Sequence, residues 1–103
     1  QPNREISVQQ IMDAVMARYK VRLADLQSKK RSRSIAFPRQ ICMYLARKLT
    51  RHSLGEIGGY LGGRDHSTVL HACRTIEQAI SEDAQLEGTI QQLTDSCRNG
   101  HSG

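Results

Sequence analysis

The sequence predicts an all-helical fold, and three observations predict it. Apolar residues recur at helical spacing in segment after segment. Helix-capping signatures stand at the head of several of these segments. No stretch alternates apolar and polar residues with a period of two, so no sheet is expected.

Ser7 with Gln10 has the spacing of a capping box, and Val8, Ile11, Met12, Val15, Met16 and Tyr19 follow at helical intervals. Leu23 to Leu26 suits a single turn. Residues 27–36 read as a polar, basic loop, with the next helix opening at Pro38, because a proline in the first turn removes an N–H that has no intrahelical partner there. Ile41, Cys42, Leu45, Ala46 and Leu49 make that helix's buried stripe. Arg39, Gln40, Arg47, Lys48 and Arg51 fall away from the stripe and are expected on the surface.

A second capping box, Ser53 with Glu56, precedes Leu54, Ile57 and Leu61. Gly62 and Gly63 end this helix in a tight turn. Asp65 is the expected N-cap of the next, whose inner face is Val69, Ala72, Cys73, Ile76 and Ile80. A weaker last helix uses Leu86, Ile90 and Leu93, with Gly88 counting against it. The expected organisation is one domain over residues 1–98, with a frayed tail at 99–103.

The chain has 103 residues and a net charge of +5. The distribution of charge is more informative than the total. Residues 18–51 hold eleven Lys or Arg and one acid, Asp25, whereas residues 75–98 hold five acids and one Arg. Such asymmetry points to a polyanionic partner on one face, with DNA and an anionic membrane surface equally able to explain it. No apolar run is long enough to span a bilayer. Three cysteines, at 42, 73 and 97, are an odd, widely spaced set and read as reduced thiols in a cytoplasmic setting. The chain opens on Gln1 rather than Met, as a piece of a longer protein would.

Helix, glycine turn, then a helix with polar residues at its exposed start is the arrangement of a helix-turn-helix, here about residues 53–80. The start of its second helix has free N–H groups and the positive end of the helix dipole, both suited to phosphate. Asp65 can accept from a cytosine or adenine amine, a Thr68 methyl can pack on thymine, and His66 and Ser67 can reach bases or phosphates. His71 lies one turn further on, near a duplex backbone. Arg39 suits bidentate guanine recognition, with Gln40 beside it for a phosphate. The run Ser28-Lys29-Lys30-Arg31-Ser32-Arg33-Ser34 suits either an Arg in a narrow minor groove or phosphate contacts alone.

Enzyme chemistry finds little support. No phosphate-cradling G-x-x-x-x-G-K-[ST] is present, nor a C-x-x-C. On a helix, His66 and His71 lie about 140° apart and share no face. Neither a metal nor a cofactor is expected.

The run from Ser28 to Ser34, Pro38-Arg39-Gln40, His52-Ser53-Leu54-Gly55-Glu56-Ile57-Gly58, and Gly62-Gly63-Arg64-Asp65-His66-Ser67-Thr68-Val69-Leu70-His71-Ala72-Cys73 together resemble the C-terminal DNA-binding domain of the bacterial replication initiator DnaA. The resemblance runs from about Ile6 to about Gln78. It implies a Trp-repressor-like helix-turn-helix variant that binds double-stranded DNA at the DnaA boxes of a replication origin. It also implies promoter-linked regulation, a nucleoid-associated place in the cytoplasm, and the rest of the initiator as a partner in cis. ATP binding in that family belongs to an upstream module.

By resemblance, Arg31 matches the minor-groove arginine. Arg39, Asp65, His66, Ser67 and Thr68 match base-contacting or motif positions. Lys29, Gln40, Arg47, Leu54 and His71 match positions near the DNA backbone. The resemblance adds acidic phospholipids as a further partner, and the amphipathic helix from Val8 to Tyr19 offers an alternative to core packing, as a basic module that binds acidic phospholipid membranes or acts as a protein adaptor. Three residues depart from the family pattern. Gly55 replaces a frequent proline, which predicts a looser entry into its helix. Ser67 replaces the more usual threonine and lacks a methyl. Phe37 stands where a basic residue is common.

Overall fold

A computed structural model describes residues 5–99. Among these, six helices and no strand are found: α1 (Val8–Tyr19), α2 (Leu23–Leu26), α3 (Arg33–Leu49), α4 (Leu54–Tyr60), α5 (His66–Glu82) and α6 (Ala84–Arg98). The all-helical expectation is met, and α3 is the central helix, in contact with α1, α2, α4 and α5.

Local chemistry explains the helix starts. Ser7 Oγ accepts from the Gln10 N–H at 3.1 Å and Gln10 Oε1 accepts from the Ser7 N–H at 2.9 Å, closing the first capping box. Ser53 and Glu56 close the second, at 3.1 and 2.8 Å. That reciprocal pair closes across the entry to α4, beside Gly55. Asp83 caps α6 by accepting from Gln85 and Leu86, and its extended backbone breaks what would otherwise be one helix with α5. α6 buries Leu86, Ile90, Leu93 and Cys97 while Gly88 sits exposed within it. Asn99 is the C-cap of α6; the rest of the expected tail, 100–103, lies outside the described residues.

One boundary is corrected. α3 opens at Arg33, with Pro38 inside it rather than in its first turn. A proline there removes only the bond to the Ser34 carbonyl, four residues back, and Ser34 is exposed to water. Tertiary contacts hold the early turn. Phe37 meets Tyr19 edge-to-face at 6.2 Å between ring centroids, and the Arg33 guanidinium lies 4.5 Å from the Phe37 ring centre. Phe37 thus joins α3 to α1, which explains an aromatic residue at this position.

The core is aliphatic. Ile11, Met12, Val15, Leu26, Ile41, Met43, Leu45, Ile57, Leu61, Val69 and Ile76 are fully buried. The apolar stripe of α1 therefore packs inward, which removes the surface the membrane alternative relied on. No helix among the described residues is long and apolar enough to cross a membrane. All three cysteines are buried and unpaired, and burial, followed by the nearby Cys97, pushes the Cys42 thiol well up.

Candidate nucleic-acid interface

The α4–α5 turn is built by three glycines. Gly62 and Gly63 adopt φ of 93° and 81°, a left-handed region that side chains disfavour. The Gly58 carbonyl accepts from Gly63 at 2.9 Å and Arg64 at 3.0 Å, folding the chain back on α4. A Cβ on Gly58 would overlap the Arg64 carbonyl, so only glycine fits this close approach. Gly58 carries no such signal in the sequence, since glycine inside a helix looks only unfavourable.

Asp65 caps α5 as expected, its Oδ1 accepting from the Thr68 N–H at 2.9 Å. That backbone hydrogen bond is the main cause holding its carboxyl below the usual carboxylate range. The group is ionised at neutral pH, and a carboxylate has acceptor capacity beyond one cap bond. Val69 N–H takes the Asp65 carbonyl, which leaves the His66 and Ser67 N–H groups without an intrahelical acceptor. Asp65, His66, Ser67 and Thr68 are all exposed, so this turn presents acceptor, imidazole, two hydroxyls and free amides to solvent.

His71 is exposed one turn further along. At about 100° per residue, Arg74 falls on the same outward stripe as Ser67 and His71. It is exposed and is a cation that the sequence reading passed over.

Arg39 requires a correction. It was expected on the surface as a guanine reader, yet only 6% of it is exposed. Its Nε donates to the Leu26 carbonyl at 2.9 Å, Nη1 to the Lys30 carbonyl at 3.0 Å, and Nη2 to the Asp25 carbonyl at 3.1 Å and Ser28 Oγ at 3.5 Å. The physical reason is α2. The Leu26 carbonyl ends a four-residue helix with no following helical N–H to meet it, and the guanidinium supplies its donor while adding a further one to the Asp25 carbonyl, which already accepts from Ser28. Burial, then the nearby positive Arg64, lowers the Arg39 pKa from its usual value.

The backbone of the basic loop is held in place. Arg64, whose role the sequence reading missed, donates to the Leu61 carbonyl in the turn and to the Ser28 carbonyl in the loop. Lys29 and Arg31 remain exposed, while Lys30 Nζ pairs with Asp25 at 3.3 Å. The loop and the turn into α5 are therefore brought side by side.

The remaining candidates lie on α3 and α4. Gln40 is half-buried on α3, and Leu54 is half-buried at the start of α4. Arg47 is exposed near the α3–α5 seam, close enough to Cys73 to oppose the upward push that burial gives that thiol. No group of three or more His, Cys, Asp or Glu is gathered among the described residues in a way that would hold a metal ion.

A family model, bacterial dnaA protein helix-turn-helix, matches residues 8–76. The chain is 48% identical over 97 residues to the chromosomal replication initiator protein DnaA of Chromobacterium violaceum, covering 94% of this chain and 21% of that protein. It is 50% identical over 96 residues to the same-named protein of an Azoarcus species, covering 93% and 20%. With that of Burkholderia multivorans it shares 54% over 91 residues, covering 88% and 17%. The chain thus spans about a fifth of the length of these relatives. The matched unit is a helix-turn-helix, an arrangement that binds DNA. Six helices around an aliphatic core, a glycine turn into a capped and exposed helix start, and the match over residues 8–76 lead to one conclusion: the chain belongs to the bacterial DnaA helix-turn-helix family.

Proposed function

We propose that this module binds duplex DNA sequence-specifically at DnaA boxes, and so supports initiation of chromosomal replication and its regulation as part of a longer initiator. The observation that carries this reading is the first turn of α5. Asp65, His66, Ser67 and Thr68 stand exposed at a helix start that follows a glycine turn, with the basic loop fixed beside it.

A helix-turn-helix inserts such a turn into the major groove, where each base pair presents a distinct donor, acceptor and methyl pattern. The ionised Asp65 accepts from a base amine. The methyl of Thr68 packs against thymine, and His66 and Ser67 take base edges or phosphates. Arg31 reaches from the loop into the minor groove. Lys29, Gln40, Arg47 and His71 meet phosphates along the flanks, and Leu54 packs near the backbone. Binding uses no metal and no cofactor. The relatives' shared name, chromosomal replication initiator, supports the assignment to an origin.

The deciding experiment is fluorescence anisotropy with a DnaA-box duplex and a scrambled duplex of equal composition, across a salt series. Preference for the box that persists at physiological salt is expected. Equal affinities that collapse together as salt rises would leave only nonspecific, charge-driven binding and overturn the proposal.

A further inference from the structure

The basic loop and the start of α5 lie far apart in sequence, 36 residues from Ser28 to Arg64, yet three contacts join them. Arg64 bridges the Ser28 and Leu61 carbonyls. Gln27 Nε2 donates to the Tyr60 carbonyl at 2.9 Å. Gly62 lies so close to the Gln27 carbonyl that a Cβ there would overlap it. Arg39 holds the loop's other side through the Lys30 carbonyl and Ser28 Oγ. These bonds grip main chain and one short hydroxyl, so they fix the backbone and leave the side chains of Lys29 and Arg31 exposed.

We propose that Arg64 is a positioning residue that sets the place of Arg31 relative to α5, and so couples minor-groove readout by the loop to major-groove readout by the helix. The inference rests on the proposed DnaA-box reading. Arg64 touches no base in this scheme, because its guanidinium is engaged on two carbonyls and partly buried. A free loop would have to be ordered at the moment of binding, at an entropic cost that the braced loop avoids. The brace therefore decides whether Arg31 discriminates between bases or merely adds charge.

The test uses a set of box duplexes, each with one base pair changed, titrated against wild type, Arg31→Ala, Arg64→Lys and the double variant. Lysine keeps the charge, but a single ammonium does not reproduce the planar fork that spans two carbonyls. Arg64→Lys is expected to lose discrimination at the same A·T positions as Arg31→Ala. The loss should be about fivefold or more, the low end for one good base contact. Positions that respond to His66→Ala should keep their discrimination, and the double variant should match Arg31→Ala at the A·T positions.

Wild-type discrimination by a folded Arg64→Lys domain overturns the proposal, and so does a loss spread evenly over all positions. If Arg31→Ala alters no position, the loop is not a base reader and the inference falls, while the His66-dependent positions still judge the helix reading separately. Should Arg64→Lys not fold, Gln27→Ala at an exposed residue weakens the same brace. Its expected effect is a smaller loss at the same positions, and none there would overturn the proposal.

Discussion

The Arg39 Nε donates to the Leu26 carbonyl at 2.9 Å, so a side chain placed by sequence among the DNA readers spends its donors inside the protein. Its other nitrogens reach Asp25, Ser28 and Lys30. Removing it takes the donor from the Leu26 and Lys30 carbonyls, while the Asp25 carbonyl keeps Ser28. Arg39→Ala is expected to lower unfolding free energy by about 2–4 kcal/mol, read by urea denaturation. Arg39→Lys should recover only part. A surface guanine reader would behave oppositely, leaving stability unchanged while specific binding fell.

The glycines divide by the space around them. A Cβ on Gly58 overlaps the Arg64 carbonyl, whereas one on Gly88 meets nothing within 4 Å. Gly58→Ala should destabilise by about 1–3 kcal/mol. Gly88→Ala, at an exposed site within α6, should stabilise by about 0.5–1 kcal/mol. Thermal melts of the two variants should shift in opposite directions; shifts of the same sign would contradict the packing described for the turn.

Acid stability follows from the cap of α5. Hydrogen bonding to Thr68 lowers the Asp65 pKa in the folded state, while in the unfolded chain it titrates near about 3.9. Its stabilising contribution is therefore complete above that value and is lost as pH falls through the lower folded one. Glu56 behaves alike, held down first by the Ser53 N–H and then by His52. Asp65→Asn keeps a cap acceptor that does not titrate. Its melting temperature should decline less steeply below about pH 4 than that of wild type, and an unchanged slope would refute the cap's part in acid unfolding.

Lys29 is exposed in the loop and makes its proposed contact with phosphate alone. Lys29→Ala should weaken binding to box and scrambled duplexes alike. It should also lower the slope of log affinity against log salt by about 1. A loss confined to the box would make Lys29 a base reader instead.

Ser67 is exposed in the first turn of α5. Ser67→Thr restores a methyl that can pack on thymine, with an expected gain of about 1 kcal/mol in box affinity. Replacing thymines of the box by deoxyuridine should erase the gain at one position. A gain that survives in a fully deoxyuridine-substituted box would place the effect elsewhere.

What could be read in advance was local. Ser7 with Gln10, Ser53 with Glu56, and Asp65 with Thr68 each close within three residues, so spacing alone reveals them. The apolar stripes of α1 and α5 were legible for the same reason. Arg39 was not, because its partners are backbone carbonyls 9 to 14 residues away, and backbone leaves no mark on composition. Pro38 misled because its commonest helical place is the first turn, while Phe37, packed on Tyr19 and under the Arg33 guanidinium, holds the turn that precedes it. Lys20 takes φ of 59° to end α1 where glycine would be the usual signal. Arg64 shows its role only once the loop and the turn lie side by side.

The bond from Arg64 to Ser28 has a consequence for the form of nucleic acid the domain can accept. It makes the span between the loop backbone and α5 a property of the protein before any duplex arrives, and a fixed span acts as a gauge. B-form DNA sets a major groove about 12 Å wide beside a minor groove about 6 Å wide. An A-form RNA duplex instead has a deep, narrow major groove and a broad, shallow minor one. On the proposed DnaA-box reading the gauge is cut for the first and does not seat on the second, so RNA of identical base order would be refused on shape alone, before the first missing thymine methyl was noticed.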